Sequence, residues 1–300
     1  MNTLDDIRST ISGLAERHSP AVVRIEGGWR GASGVIVAAG QVMTNAHNVR
    51  ADAVQVTFHD GRSAKGAVVG VDPDGDLAVL TVDTAEVEPI EWMEGDAASL
   101  GTPVFALSAS GQGSRVTFGF VSSVARAFRG PRGRRISGSI EHTAPMARGS
   151  SGSALLDAQG RLVGLNTNRV GGGFYLALPA DSTLRSKVEA LSRGETAARP
   201  RLGVGIAPGD AARRMRRAVG LPERDGLLVR DVEEGSPAAR AGLAQGDLLV
   251  AVNGRSLASV DDLYDALAVV DTAGQQEVVV VRGAEERTVS VDLAEKPSAG

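Results

Sequence analysis

The chain has 300 residues, of which 42% are hydrophobic and 23% are charged, a composition typical of globular proteins and not of disordered ones. Its net charge of −4 argues against a nucleic-acid-binding protein, and the absence of cysteine excludes disulfides and thiolate metal sites. We find neither a signal peptide nor a membrane span in the sequence, and we therefore expect a cytoplasmic protein.

The first part of the chain predicts one helix followed by many short strands. The helix is expected to end near His18, before Pro20. Between 21 and 165, short segments rich in valine and isoleucine alternate with turn residues, and Asp60-Gly61 and Gln159-Gly160 are expected at hairpin tips. Because no helices separate these strands, we expect antiparallel barrels or a sandwich rather than a parallel sheet.

The length of the chain favours two domains. A helical pattern over Asp181–Ser192 closes a first domain, residues 1–194, and the polar segment 195–201 is typical of a linker. Residues 202–300 form a second, compact domain in which Ser236 is expected to cap a short helix.

The segment Thr143–Leu156 contains the candidate nucleophile, Ser151. A serine hydroxyl needs a base to take its proton and N–H groups to receive the charge that develops on the attacked carbonyl. Gly149 can adopt backbone angles closed to other residues, so its N–H can lie beside that of Ser151, and Gly152 lets the chain leave sharply. The alternative is an ordinary Ser/Gly turn before a strand.

All four histidines precede Ser151, which excludes the catalytic order of the α/β-hydrolases but leaves the order histidine, acid, serine open. His47 follows an apolar strand and is the candidate base. His18 and His59 are interpreted as exposed polar residues, and His142 is expected to project from a strand. Taken singly, each histidine is more often structural than catalytic.

Asp76 is the candidate acid because it directly precedes an apolar strand, where its carboxylate can orient an imidazole at the edge of the core. Asp72 and Asp74, in the preceding turn, are expected to be solvated. The alternating aspartates do not predict a calcium site, since the glycine comes too early and no glutamate closes the loop.

These segments together resemble the HtrA/Deg family of serine proteases. The similarity to the catalytic part of that family is carried by VMTNAHNV, DGDLAVL and ARGSSGSALL, in that order, and the similarity to its PDZ domain by RLGVGI and SPAARAGLAQGDLLVAVNG. The resemblance implies a mainly β fold: a chymotrypsin-like double β-barrel protease domain followed by a PDZ domain, which is a small α+β domain.

The resemblance also implies a mechanism. His47 corresponds to the general base, Asp76 to its orienting partner and Ser151 to the nucleophile, and the backbone N–H groups of Gly149 and Ser151 correspond to the oxyanion hole. The implied activity is endoproteolysis of unfolded or damaged polypeptide through an acyl-enzyme, with no cofactor and no metal. A homotrimer is implied as well. The sequence itself predicts no nucleic-acid partner and no membrane span.

The nucleophile segment departs from the family pattern GNSGGP, because Ser150, Ser153 and Ala154 replace its asparagine, third glycine and proline. A serine at 153 does not readily adopt the left-handed angles of glycine. In the histidine segment, Asn45 places a polar group near the base. These departures keep a second function open, a catalytically weak or inactive chaperone-like scaffold that binds peptides.

The PDZ-like segment predicts a second binding site. Successive N–H groups of Leu202, Gly203 and Val204 can form a nest for the terminal carboxylate of a peptide, which then adds a strand to the sheet. Such a site would tether substrates or regulate the protease. The alternative is a packing module without a ligand.

Overall fold

A computed structural model describes residues 3–26, 31–93, 98–110, 113–130, 135–195, 201–207, 209–218, 220–222, 224–268 and 275–293. The chain divides into two compact units, residues 1–197 and 198–300. Most of the predicted linker, residues 196–200, lies outside the described residues. None of the described helices is long and apolar enough to cross a membrane.

The first unit begins with helix α1 and a closed antiparallel barrel. Helix α1 is Thr3–His18, and it ends where the sequence predicts. The barrel has the strand order β1-β2-β3-β6-β5-β4. Its strands are β1 (Val22–Glu26), β2 (Ala32–Ala38), β3 (Gln41–Thr44), β4 (Ala53–Thr57), β5 (Ser63–Asp72) and β6 (Leu77–Thr81).

A second closed barrel completes the first unit, with the strand order β10-β11-β12-β9-β8-β7. Helix α2, Ser182–Ser192, follows it and is capped by the side chain of Asp181, which accepts from Leu184 N–H at 2.8 Å. The strands are β7 (Pro103–Ser110), β8 (Gly113–Arg129), β9 (Arg135–His142), β10 (Ala154–Leu156), β11 (Leu162–Gly171) and β12 (Phe174–Pro179).

Alternation along the strands decides which side chains enter the core. On β1, Val23 and Ile25 are fully buried, while Arg24 between them is half-buried on the opposite face. Leucine, valine and isoleucine side chains from both barrels form one apolar cluster. Because the barrels share this core, the loops between their strands are held in fixed relation to one another.

The second unit is a six-stranded sheet with short helices. The strand order is β13-β14-β15-β17-β18, and β16 pairs with β15. Ser236 caps the short helix α4 as predicted, because its hydroxyl accepts from Ala239 N–H at 3.1 Å. The elements are β13 (Val204–Ile206), α3 (Gly209–Ala218), β14 (Leu227–Val232), α4 (Pro237–Arg240), β15 (Leu248–Val252), β16 (Arg255–Ser256), α5 (Val260–Ala268), β17 (Gln275–Arg282) and β18 (Glu285–Asp292).

Two polar side chains that the sequence analysis places in solvent are buried or half-buried. His18 packs against the turn at Gly160, and partial burial lowers the pKa of its imidazole. Asp72 is buried and accepts from Gly75 N–H at 2.9 Å, with the Lys187 ammonium 3.6 Å away. Both expectations were wrong because distant segments, the hairpin tip and helix α2, cover these side chains.

Candidate active site

The candidate base and acid are joined directly on the first barrel. His47 lies in a single 3₁₀ turn, Ala46–Asn48, that follows β3, and Asp76 immediately precedes β6. His47 Nδ1 lies 2.9 Å from each carboxylate oxygen of Asp76, and His47 N–H donates to Oδ1 at 3.1 Å. Because an ionised carboxylate only accepts, Nδ1 carries the hydrogen, and Nε2 keeps a lone pair for a proton.

Asp76 is fixed by contacts on every side. It is fully buried and has a left-handed backbone, with φ at +55°. Its Oδ2 accepts from the Thr167 hydroxyl at 2.7 Å, and its carbonyl accepts from the Asn45 amide at 3.1 Å. The carboxylate therefore has one orientation, which sets the plane of the His47 ring.

The loop that carries Ser151 is attached to the first barrel. The Ser151 carbonyl accepts from Ser33 N–H at 2.9 Å and from the Asn48 amide at 3.2 Å. The neighbouring Gly152 has φ at +82°, and a Cβ there would lie 2.1 Å from the Ser33 carbonyl oxygen and 2.4 Å from the Thr44 hydroxyl. Glycine is thus required at 152 both for its backbone angles and for space.

Two backbone donors beside Ser151 are available to a ligand. Gly149 has φ at +87°, and its carbonyl accepts from the Ser33 hydroxyl at 3.2 Å. Within the described part of the chain, neither the N–H of Gly149 nor that of Ser151 has a hydrogen-bond acceptor. These are the two donors that the sequence analysis selects for an oxyanion hole, and they remain free to stabilise a negatively charged oxygen.

The Ser151 hydroxyl points to the second barrel. It donates to the Thr167 carbonyl on β11 at 2.7 Å, and among the described residues no hydrogen bond joins it to His47. Attack on a substrate therefore requires the hydroxyl to turn from Thr167 toward the imidazole. Catalytic hydrogen bonds in ligand-free sites are often loose in this way and tighten when substrate binds.

Thr167 is a site residue that the sequence analysis missed. Its hydroxyl contacts Asp76 and its carbonyl contacts Ser151, so one residue connects the acid with the nucleophile. It lies 91 residues from Asp76 in the chain, and no local pattern marks a threonine inside an apolar strand as a partner of a distant carboxylate.

Ser153, which replaces a glycine of the family pattern, belongs to a chain of hydrogen-bonded, buried polar side chains. Ser153 does not have a positive φ, so the glycine-only angles are not needed there. Its hydroxyl accepts from the Asn166 amide at 3.0 Å, and the Asn166 carbonyl oxygen lies 2.9 Å from His142 Nε2. All three side chains are fully buried, and this chain supports the nucleophile loop from behind.

His142 is structural in this arrangement. Burial is the main cause that lowers its pKa to about 4, although the hydrogen bond to Asn166 acts in the opposite direction. Since Asn166 uses its amide hydrogens on Ser153 and Ala154, Nε2 of His142 is the donor and Nδ1 is unprotonated. Nδ1 is buried without a partner among the described residues.

The predicted carboxylate-binding loop of the second unit has a left-handed turn at its centre. Leu202 is buried and its carbonyl accepts from Ala238 N–H at 2.9 Å, while the Gly203 carbonyl accepts from Glu233 N–H at 2.9 Å. Gly203 has φ at +75°. Among the described residues the N–H groups of Leu202 and Gly203 have no acceptor, whereas Val204 begins β13 and pairs with β14.

Two family models match the chain. Residues 32–165 match the trypsin-like peptidase domain, and residues 228–282 match the PDZ domain. The first match contains all three candidate catalytic residues, His47, Asp76 and Ser151.

Curated relatives show the same combination. A probable periplasmic serine endoprotease DegP-like from Halomonas elongata is 32% identical over 88% of this chain and 56% of its own length. Protease Do-like 1, chloroplastic, from Arabidopsis thaliana is 31% identical over 86% of this chain and 62% of its own length. The chain thus spans little more than half the length of these relatives.

Solved structures match nearly the whole chain. The serine endoprotease from Yersinia pestis is 26% identical, with a TM-score of 0.69 over 96% of this chain and 98% of that one. An HtrA-type protease, AlgW with a decapeptide, shares the fold at 24% identity, with a TM-score of 0.72 over 96% of this chain and 99% of that one. The chain therefore belongs to the HtrA/Deg family, in which a trypsin-like peptidase domain is followed by a PDZ domain.

Proposed function

We propose that the chain is a serine endopeptidase in which His47, Asp76 and Ser151 are the catalytic residues. The observation that carries this proposal is the contact of the buried Asp76 carboxylate with His47 Nδ1 at 2.9 Å, which leaves Nε2 free to accept a proton. The unpaired N–H groups of Gly149 and Ser151 supply the second requirement, donors for the developing oxyanion.

The reaction then has two stages. Ser151 Oγ attacks the scissile carbonyl while His47 takes its proton, and the same proton passes to the leaving nitrogen as the peptide bond breaks. Water, activated by His47, next cleaves the acyl-enzyme and restores the Ser151 hydroxyl. Asp76 stabilises the imidazolium in both stages, and Thr167 holds Asp76 in place. No step needs a metal or cofactor.

The proposed substrates are unfolded or flexible polypeptides. A scissile carbonyl has to reach Ser151 beside the N–H of Gly149, and an extended chain presents its backbone there without steric conflict. A folded protein exposes few segments of this kind. This substrate class agrees with a role in the removal of damaged protein.

The test is cleavage of an unfolded casein-type substrate by the full chain, compared with a Ser151→Ala variant. We expect cleavage that disappears in the variant while its thermal unfolding is unchanged. The matched control is Ser150→Ala, because this neighbouring serine has no proposed chemical role. Equal cleavage by the wild type and Ser151→Ala would show that Ser151 is not the nucleophile.

A second function, a peptide-binding scaffold with little or no proteolysis, is favoured by one observation. The Ser151 hydroxyl is bonded to the Thr167 carbonyl and not to His47. If the wild type fails to cleave while both it and Ser151→Ala suppress aggregation of an unfolded protein, the scaffold is the function.

We also propose that the second unit binds peptide C-termini through Leu202, Gly203 and Val204. The basis is the pair of unpaired N–H groups at Leu202 and Gly203. A labelled peptide with a free terminal carboxylate should bind the full chain, and the same peptide with an amidated terminus should not. The proposed limits of this domain are residues 202–300, after a protease domain at 1–194 and a linker at 195–201.

Assembly and compartment are further proposals. The resemblance favours a homotrimer, which sedimentation of the full chain would detect as three times the monomer mass. A cytoplasmic location finds no support in relatives named periplasmic and chloroplastic, and we propose an exported protein instead. Cell fractionation would distinguish the two compartments.

A further inference from the structure

A basic cavity opens beside the nucleophile loop. Its volume is about 340 Å³, and Gly149 and Ser150 form part of its wall. Three arginines, Arg24, Arg115 and Arg148, also line it, and none of its described lining residues is acidic. Because Gly149 is a proposed oxyanion donor, a scissile peptide bond bound there places the neighbouring substrate residues at the mouth of this cavity.

The three guanidinium groups have no partner in the described part of the chain. None forms a hydrogen bond or ion pair with another residue that the structure describes. Elsewhere in the unit arginines have carboxylate partners, as Arg126 has in Glu141 at 2.8 Å. Among the described residues, the cavity is therefore a concentration of positive charge without a carboxylate partner, in a chain whose net charge is −4.

The position of Arg24 is built into the barrel. Strand alternation turns Arg24 away from the core, and its guanidinium lies over Gly31, which has φ at +63°. A Cβ at Gly31 would lie 3.3 Å from Arg24 Nε, so glycine leaves room for the half-buried cation. A half-buried charge without a partner has lost hydration, and a carboxylate ligand would compensate that loss with charge-assisted hydrogen bonds.

The first barrel, which also carries His47, forms one wall of the cavity, and strands β7 and β8 of the second barrel form the other. His47, which must protonate the leaving nitrogen, belongs to the first barrel, as do Arg24 on β1 and Ala32 at the start of β2. A second cavity of about 160 Å³ shares Arg24 with the first and continues the groove toward the hairpin at Gly61. The two cavities give an extended chain beyond the scissile bond a path across Arg24.

We propose that this cavity binds an aspartate or glutamate side chain of the substrate, on the carboxyl-terminal side of the scissile bond. Arg24 is the principal contact, and Arg115 and Arg148 add positive charge from the exposed rim. The inference deepens the proposed endopeptidase function and rests on it. It makes the protease selective for acidic segments of unfolded chains.

The test uses internally quenched peptides of one sequence, with Glu, Gln or Lys at successive positions on each side of the scissile bond. After the scissile bond, the full chain should cleave the Glu peptide with a kcat/KM about tenfold higher than the isosteric Gln peptide. Lys should lower the rate. The preference should decrease as salt is added, because screening weakens the attraction.

Substitution of the arginines tests whether they cause the preference for Glu. Arg24→Gln should remove the preference, so that the ratio of kcat/KM for the Glu peptide to that for the Gln peptide falls from about ten to about one. Arg115→Gln, at an exposed position, should reduce the preference in part. The matched control is Arg185→Gln on helix α2, an exposed arginine outside the cavity, and thermal unfolding of each variant is measured beside the wild type.

The outcomes separate this inference from the function on which it rests. Cleavage of Glu and Gln peptides at equal rates, with loss of both in Ser151→Ala, overturns the acidic preference and leaves the endopeptidase. A preference that survives both Arg24→Gln and Arg115→Gln, or that occurs before the scissile bond, also overturns it. Failure of the wild type to cleave any peptide removes the endopeptidase, and this inference with it.

Discussion

The base side of the candidate site and its nucleophile side lie on different barrels and are held by different kinds of contact. On the base side, His47 and Asp76 bond each other directly, and Thr167 occupies the remaining face of the carboxylate. On the nucleophile side, Ser151 is held through its backbone, and its hydroxyl is bonded away from the base. The base side is therefore complete before substrate binds. On the nucleophile side, the Ser151 hydroxyl must still rotate from Thr167 toward His47.

The two sides also differ in whether the candidate catalytic residues themselves fix the geometry. On the base side, His47 and Asp76 bond each other directly, and Thr167 and Asn45 hold Asp76 in place. On the nucleophile side, the buried chain of His142, Asn166 and Ser153 fixes the loop without touching Ser151 Oγ. Substitutions on the base side should thus lower kcat with little effect on stability, and those in the supporting chain should do the reverse.

The largest effect is expected for Asp76→Asn. The amide would leave His47 without a carboxylate to fix its tautomer and stabilise the imidazolium, so kcat should fall by about 10⁴-fold. Asparagine tolerates the left-handed backbone at 76, and the free energy of unfolding should therefore change little. Cleavage of a flexible peptide and thermal unfolding measure the two quantities.

Asp72→Asn is the matched control for this prediction. Asp72 is also buried in the loop before β6, but it contacts Gly75 and Lys187 and not His47. Its variant should keep kcat within about threefold of the wild type. A comparable loss of kcat in both variants would mean that the loop, and not the carboxylate at 76, determines activity.

The second largest effect is expected for Gly152→Ala on the nucleophile side. A Cβ at 2.1 Å from the Ser33 carbonyl oxygen would force the loop away from the first barrel. We expect a loss in kcat/KM of about 100-fold or more, because the hydroxyl moves from its attacking position. Unfolding free energy should fall by about 3 kcal/mol or more.

Gly61→Ala controls for the backbone angles alone. Gly61 has φ at +86°, similar to Gly152, but a Cβ there would meet nothing within 4 Å. Its variant should lose about 1 kcal/mol of stability and keep full activity. Equal destabilisation by the two variants would exclude the contact with Ser33 as the cause.

The third prediction concerns pH and the supporting chain. The pKa of His142 is lowered from 6.5 to about 4 by burial, so the folded protein holds a neutral imidazole where the unfolded chain binds a proton. The free energy of unfolding is therefore highest above pH 6.5 and decreases as the pH falls toward 4. The expected loss in unfolding free energy is about 3 kcal/mol. Denaturant unfolding at several pH values measures it.

His142→Gln should flatten this pH dependence, although it lowers stability at neutral pH. Glu141 beside it and the Asn166 amide are the other polar groups that act on the ring, and both remain in the variant. His59→Gln is the control, since it removes an exposed histidine and leaves the buried one in place. An unchanged slope in His142→Gln would assign the pH dependence to other groups.

The sequence marks the candidate catalytic residues by local patterns, but it does not mark the residues that support them. His47, Asp76 and Ser151 each sit beside an apolar strand in a local pattern, and their order in the chain restricts the chemistry. Thr167 was missed because its role depends on how the second barrel meets the first. The burial of His142 was missed for the same reason, because a strand pattern does not reveal what covers its end.

The basic cavity was also beyond sequence reasoning. Arg24 and Arg148 are 124 residues apart in the chain and have no common motif. They line the same cavity because the start of β2 contacts the nucleophile loop through Ser33. Strand alternation on β1 indicates that Arg24 leaves the core, but not that a cavity whose described lining has no carboxylate lies on that side.

The smallest effect is expected for Ser153→Gly, which restores the family residue. The variant loses the hydroxyl that accepts from Asn166 and gains backbone freedom in the unfolded state, so stability should fall by about 1 kcal/mol. Because position 153 does not have a positive φ, the loop conformation should persist and kcat should stay within about threefold. A rise in kcat of about tenfold would contradict this interpretation and would identify Ser153 as the cause of a weakened enzyme. Steady-state cleavage of one flexible peptide by the wild type and the variant decides between these outcomes, because the change at 153 leaves every proposed reacting atom in place.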